Sequence, residues 1–272
     1  MQSPHTWAGA LALYDNAMAA ANRSSGTIRL HLHYLAQLRE RHRRPWSVTT
    51  EQLQELMTER AWGSSALRSA RSVYRGFYRW GHGMGHTDHD PAFVLATVAT
   101  PAPAPRPAPE PIVWGLIDGS DERLSFMAEL AGLMALRVGE IAVVHESDYV
   151  GTPRKGRLRV HGKGGKIREL PVLDEHLAMR LFNVEGWAFP NGYGSHISAG
   201  HASRILSGAM PQGWTAHKLR HRALSASHAE TRDLLATKEM AGHSKMDTTL
   251  AYVLMPTDAL EAAVRAASRR VA

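Results

Sequence analysis

Three stretches of the chain gather cations, imidazoles and a phenol where they could act on an anion. In Ala135-Leu136-Arg137-Val138-Gly139-Glu140-Ile141, an arginine lies among apolar residues where a helix ends or restarts. An unpaired guanidinium is costly there, so Arg137 calls for an anionic ligand or an ion pair with Glu140. In His217-Lys218-Leu219-Arg220-His221, helical periodicity puts His217, Arg220 and His221 on one face. Two histidines four apart resemble half a zinc site, but the metalloprotease motif needs a glutamate between them, and here Lys218 and Arg220 intervene. A dication fits poorly beside two cations; an anion fits well. In the third stretch, Gly242 to Tyr252, His243 begins a turn into a helix capped near Asp247, and Tyr252 falls about one and a half turns along it. Taken alone, Tyr252 reads as a half-buried core aromatic and His243 as a cap or a surface residue, and spacing by itself does not overturn that.

The composition points to a polyanionic partner. The 272 residues include 32 Lys+Arg against 25 Asp+Glu, a net charge of +7 with histidines neutral. Of those cations 26 are arginine, whose planar guanidinium suits bidentate phosphate contacts. There is no cysteine, which removes disulfides and thiolate chemistry and fits a reducing cytoplasm. The start, Met1-Gln2-Ser3-Pro4-His5, lacks the basic and apolar runs of a secretion signal, and no stretch is apolar enough to predict a membrane span.

The elements that must position these residues fall on two sides of one break. Alternating prolines from Thr100 to Pro111 forbid helix and favour an extended strap. This predicts a helical domain over 1–99, a linker over 100–111 and a second domain over 112–272. In the first, Trp7/Leu11/Tyr14/Met18, Ile28/Leu32/Leu35/Leu38 and Leu53/Leu56/Met57 mark three helices, the last behind a Thr49–Gln52 capping box. A fourth, about 65–80, carries an apolar stripe of Leu67, Ala70, Tyr74, Phe77 and Tyr78. Arg68, Arg71, Arg75 and Arg79 line a neighbouring face, either for phosphates or as a solvated basic surface. The second domain is mixed. A helix is expected over 121–136, then strands over 157–161 and 167–172 joined by the Gly-rich tip Gly162-Lys163-Gly164-Gly165-Lys166, then further helices from Asp174.

Read together, the motifs resemble those of the tyrosine recombinases, the phage integrases and their Xer-type relatives. Leu136-Arg137-Val138-Gly139-Glu140 is similar to the family's first arginine box, and Gly162 to Arg168 to its hairpin lysine. His217-Lys218-Leu219-Arg220-His221 matches the His-x-x-Arg-His box, and Ala241-Gly242-His243-Ser244 with Thr248, Thr249 and Tyr252 the segment ending in the nucleophile. Two departures concern local turns: Ala241 stands where leucine is usual, and Glu230-Thr231-Arg232-Asp233 replaces a glycine-containing turn.

The resemblance implies a mainly α fold with a small β-sheet, a helical core-binding domain ahead of a mixed α/β catalytic domain. It implies Tyr252 as nucleophile, Arg137 and Arg220 as phosphate clamp, His217 as base or phosphate partner, Lys163 as general acid with Lys166 its rival, and His243 as a further phosphate donor. Arg68, Arg71, Arg75, Arg79, Lys166 and Arg168 are expected to contact DNA. The implied partner is double-stranded DNA at core-type sites, bound by a homotetramer formed from free monomers, with an accessory directionality factor; no metal, other cofactor or membrane is expected. The alternatives are a Xer-type resolvase, a type IB topoisomerase, a non-catalytic DNA binder and, well behind, a metalloenzyme built on His82, His86 and His89.

Overall fold

The computed structural model describes residues 5–99, 106–119, 121–162 and 164–242. The chain forms two compact units, Met1–Pro101 and Ala102–Ala272.

The first unit is helical: α1 (Trp7–Ala20), α2 (Ser25–Arg41), a 3-10 turn at Pro45–Ser47, α3 (Thr50–Glu59) and α4 (Ser64–Gly83). Side chains at the helix starts satisfy backbone N–H groups that have no partner within the helix. Thr6 accepts from Gly9, Ser24 from Thr27, and Thr49 and Gln52 form the reciprocal capping box. The stripes meet in one core around Phe77, which stacks on Trp7 at 5.8 Å and on Trp46 at 5.0 Å between centroids. On α2 the buried set is Tyr34, Leu35 and Leu38, with Leu32 only half-buried.

The second unit holds α5 (Glu110–Ile117), α6 (Glu122–Gly132), α7 (Val138–Ile141), strands β1 (Tyr149–Gly151), β2 (Gly156–His161) and β3 (Ile167–Val172), then α8 (Glu175–Phe182), α9 (Ala199–Gly208), α10 (Ala216–Thr231) and α11 (Leu234–Ala241). The fold is mainly α with one small sheet. Its strands run antiparallel in the order β1-β2-β3, with Arg159 opposite Glu169 and His161 opposite Ile167. Leu158, Val160, Leu170 and Val172 face the core.

At the centre lies α6, buried on all sides from Ser125 to Gly132 as a helix enclosed by its neighbours must be. It stops four residues short of the expected end at Leu136. Ala135 adopts a left-handed conformation, φ 56°, and the Leu136 N–H returns to the Leu130 carbonyl at 3.0 Å. The turn without glycine is made by Arg232, which takes φ 53° at the end of α10, while Asp233 caps α11. Among the described residues no helix is long and apolar enough to cross a membrane.

Candidate active site

Glu140, on α7 and 4% exposed, is the point on which three arginines converge. Its Oε1 accepts from Arg137 Nη1 at 2.7 Å and from Arg168 Nη1 at 2.9 Å. Its Oε2 accepts from the Arg137 backbone N–H and from Arg168 Nη2, both at 2.9 Å, and Arg220 Nη1 lies 3.8 Å away. Burial alone would raise the carboxyl pKa. The hydrogen bonds from Arg168 and the Arg137 backbone, with the charges of the two guanidiniums, outweigh it and hold Glu140 below the ordinary carboxylate value. One carboxylate facing three guanidiniums leaves a positive surplus, the electrostatic condition for receiving an anion.

The same arginines close the end of α11. Carbonyls in the last turn of a helix have no intrahelical partner and sit at the negative end of its dipole. Arg168 Nε donates to Met240 O at 3.1 Å, Arg220 Nη2 to Ala241 O at 2.6 Å, and Arg137 Nη2 to Gly242 O at 3.4 Å. Three successive carbonyls are thus taken by three arginines from a loop, a strand and a helix far apart in sequence. Gly242 ends α11 with φ 60°, and a Cβ there would lie 2.7 Å from Arg168 Nη1, so glycine is required by backbone conformation and by space. Arg220, 1% exposed, also donates to the Ala135 carbonyl released by the left-handed break after α6.

His217 stands at the start of α10, its ring edge-on to that of His221 with centroids 4.9 Å apart. Loss of water contact, then the charges of Arg220, Lys218 and Arg137, hold His217 below the usual imidazole pKa, which favours a neutral ring at neutral pH. His221 is buried and pushed down to about 4 by desolvation and by neighbouring His217, Lys218 and Arg220.

Of the six residues expected to do chemistry, the structure places Arg137, Arg220 and His217 in one neighbourhood. Lys163, His243 and Tyr252 lie outside the described residues. Lys166 is exposed at the hairpin. Arg168 departs from the expected DNA-facing role: its side chain is 13% exposed and its guanidinium is held by Glu140 and Met240. On α4, Arg68 and Arg79 are exposed. Arg71 instead donates to Leu95 O at 3.0 Å, and Arg75 to Phe93 O at 2.8 Å while lying over the Phe93 ring, so both secure the segment after the helix. His86 packs against Trp46 and Trp80, and among the described residues no three His, Asp or Glu side chains gather to hold a metal ion.

Two roles escaped the motif reading: Glu140 as the shared anchor of three arginines, and Arg168 as an internal one. A signal for the latter exists in the strand alternation. Residues 168, 170 and 172 share a face, and Leu170 and Val172 are plainly core residues.

Residues 116–256 match the model of the phage integrase family. Tyrosine recombinase XerC of Stutzerimonas stutzeri (strain A1501) is 30% identical over 210 residues, covering 70% of this chain and 69% of that protein. XerC of Pseudomonas entomophila (strain L48) is 28% identical over 231 residues, 76% of each. Among solved structures, a lambda integrase dimer bound to a COC' core site superposes with a TM-score of 0.72 at 16% identity, covering 91% of this chain and 77% of that one. A lambda integrase tetramer bound to a Holliday junction gives 0.72 at 16% identity, with 92% and 77% covered. XerH recombinase on a palindromic difH substrate gives 0.65 at 14% identity, with 90% and 80% covered. With its match over 116–256 and its likeness to XerC along most of its length, the chain belongs to the phage integrase family of tyrosine recombinases.

Proposed function

We propose that the protein cuts and rejoins DNA at specific sites through a covalent 3'-phosphotyrosyl intermediate, with the second unit as the catalytic domain, the first as the core-site binding domain and the Pro-rich stretch from residue 100 as the strap between them, shorter than the expected 100–111 because Ala108 is already buried in the second unit's core and Glu110 opens α5. The observation that carries this reading is the convergence of Arg137 and Arg220 on Glu140 and on the last carbonyls of α11, beside His217. In-line attack forms a bond from the Tyr252 phenolic oxygen to the scissile phosphorus and breaks the bond to the 5'-oxygen. The phenolic proton passes to neutral His217, and the departing 5'-oxygen takes a proton from Lys163 on the hairpin. Arg137 and Arg220 take up the charge that builds on the non-bridging oxygens, and His243 donates a further hydrogen bond. Attack by the 5'-hydroxyl of a partner strand reverses the step and preserves the phosphodiester energy, so rejoining needs no ATP.

Exposed Arg68 and Arg79 on α4, with Lys166 at the hairpin, contact the duplex backbone. The working assembly is a homotetramer on DNA built from free monomers in the cytoplasm, with an accessory factor setting direction. We favour integration and excision of a phage or prophage. Resolution by a Xer-type enzyme is the second reading, supported by the sequence likeness to XerC.

The test is incubation with a pool of nicked duplexes of randomised core sequence, followed by denaturing electrophoresis. A protein–DNA adduct that forms with chelator present and is lost in Tyr252→Phe is expected. An adduct that survives this substitution, or none from the unaltered chain with any duplex, refutes the assignment.

A further inference from the structure

The mechanism above gives Arg168 no task, yet all three nitrogens of its guanidinium are engaged. It sits on β3 two residues beyond Lys166, makes a bidentate pair with Glu140 and donates its Nε to Met240 O. Two glycines mark how closely the backbone approaches it. A Cβ on Gly162, the residue just before Lys163, would lie 3.8 Å from Glu140 Oε1 and 3.9 Å from Arg168 Nη1. One on Gly242, the residue just before His243, would lie 2.7 Å from Arg168 Nη1. The pairing of β2 with β3 continues to the Gly162 N–H, bonded to Lys166 O at 2.7 Å, so the tip is tied to both strands. One guanidinium therefore touches the base of the loop that carries Lys163 and the end of the helix that leads into His243 and Tyr252.

We propose that Arg168 is a positioning residue that locks the lysine-bearing hairpin to the end of α11, so that the proton donor and the nucleophile-bearing segment are brought to the phosphate in one fixed relation. The inference rests on the strand-transfer reading above. It makes Arg168 act through Glu140, Met240 and Gly242 rather than through DNA, the reverse of what its charge and motif position suggest. Three contacts fix its plane, and lysine can supply neither the bidentate pair nor the simultaneous bond to Met240.

The test compares Arg168→Gln and Arg168→Lys with the unaltered chain on one nicked duplex selected from the randomised pool, below the unfolding temperature of each protein. Binding is titrated across salt concentrations, and single-turnover cleavage is measured at saturating protein. The expected result is a cleavage rate lowered about 10–100-fold in both variants, as a small misplacement of reacting groups costs, with affinity within about twofold of the unaltered chain and the same salt slope. A DNA contact would instead weaken binding and reduce the salt slope by about one, and that outcome overturns the proposal, as does cleavage at the unaltered rate. Should Arg168→Gln fail to fold, Gly242→Ala, whose added Cβ would lie 2.7 Å from Arg168 Nη1, must show the same separation of rate from affinity. Absence of any adduct from the unaltered chain refutes the strand-transfer reading and the inference with it. Adduct formation with an unaffected Arg168→Gln refutes the inference alone.

Discussion

Replacing Glu140 with glutamine removes one negative charge from among three guanidiniums while keeping the side chain's size. Glutamine retains a single acceptor oxygen, so of the four hydrogen bonds to Glu140, from the Arg137 backbone, Arg137 Nη1 and both Arg168 Nη atoms, at least two are lost. The remaining amide group presents N–H donors to guanidinium donors. Breaking a buried pair by neutralising one partner costs about 3–5 kcal/mol. For a unit of this size that corresponds to a fall of about 6–20 °C in Tm. The effect depends on pH. Because the folded state holds the Glu140 pKa down, its stabilisation is present above the ordinary carboxylate pKa and is lost as pH falls through the lowered value, so the gap between Glu140→Gln and the unaltered chain narrows in acid. Thermal unfolding followed by circular dichroism near pH 7 and near pH 4 reads both quantities. A variant that unfolds within about 2 °C of the unaltered protein at neutral pH would show that the carboxylate does not hold the arginines together.

The buried His221, with its pKa pushed down to about 4, binds its proton far more readily in the unfolded chain, so stability declines as pH drops from about 6.5 to about 4, by roughly 3 kcal/mol from this group; denaturant titrations of His221→Leu should show a shallower decline, and an identical one would contradict the assignment. Arg137→Ala and Arg220→Ala should each lower single-turnover cleavage about 10²–10³-fold. Only the buried Arg220→Ala should also lower Tm by more than a few degrees, Arg137 being 35% exposed, and equal thermal losses would count against this ranking. On α4, Arg68→Ala should reduce the salt slope of DNA binding by about one. Arg71→Ala should leave the slope nearly unchanged and instead speed amide exchange around Leu95, whose carbonyl it holds; the reverse pattern would return Arg71 to the DNA-facing set.

Much of this fold can be read locally because its signals are local. The Thr49–Gln52 capping box, the stripe of α4 and the β2–β3 hairpin depend on residues within a few positions of one another, and each forms where the spacing predicts. What could not be read depends on partners distant in sequence. Strand β1 spans three residues and exists because β2 offers it an edge. The early end of α6 is legible only once Arg220 is known to take the Ala135 carbonyl 85 positions away. The site divides along the same line. The side-chain types at Arg137, His217 and Arg220 announce an anion site, whereas the task of Arg168 is set by Glu140, 28 residues earlier, and Met240, 72 residues later. Arginine on a strand next to a glycine-rich tip reads as a surface cation until its face of the sheet is considered.

In the proposed reaction a phenolic oxygen takes up the phosphate held by Arg137 and Arg220. The most direct measurement is to isolate the covalent adduct, digest the DNA and protein, and locate the phosphorylated residue by mass spectrometry. Cleavage after Lys245 and Arg265 yields the segment Met246–Arg265, in which Tyr252 is the one tyrosine among several threonines. The expected peptide carries a nucleotide attached to Tyr252 through its 3'-phosphate. Attachment to another residue, or through a 5'-phosphate, would contradict this reaction.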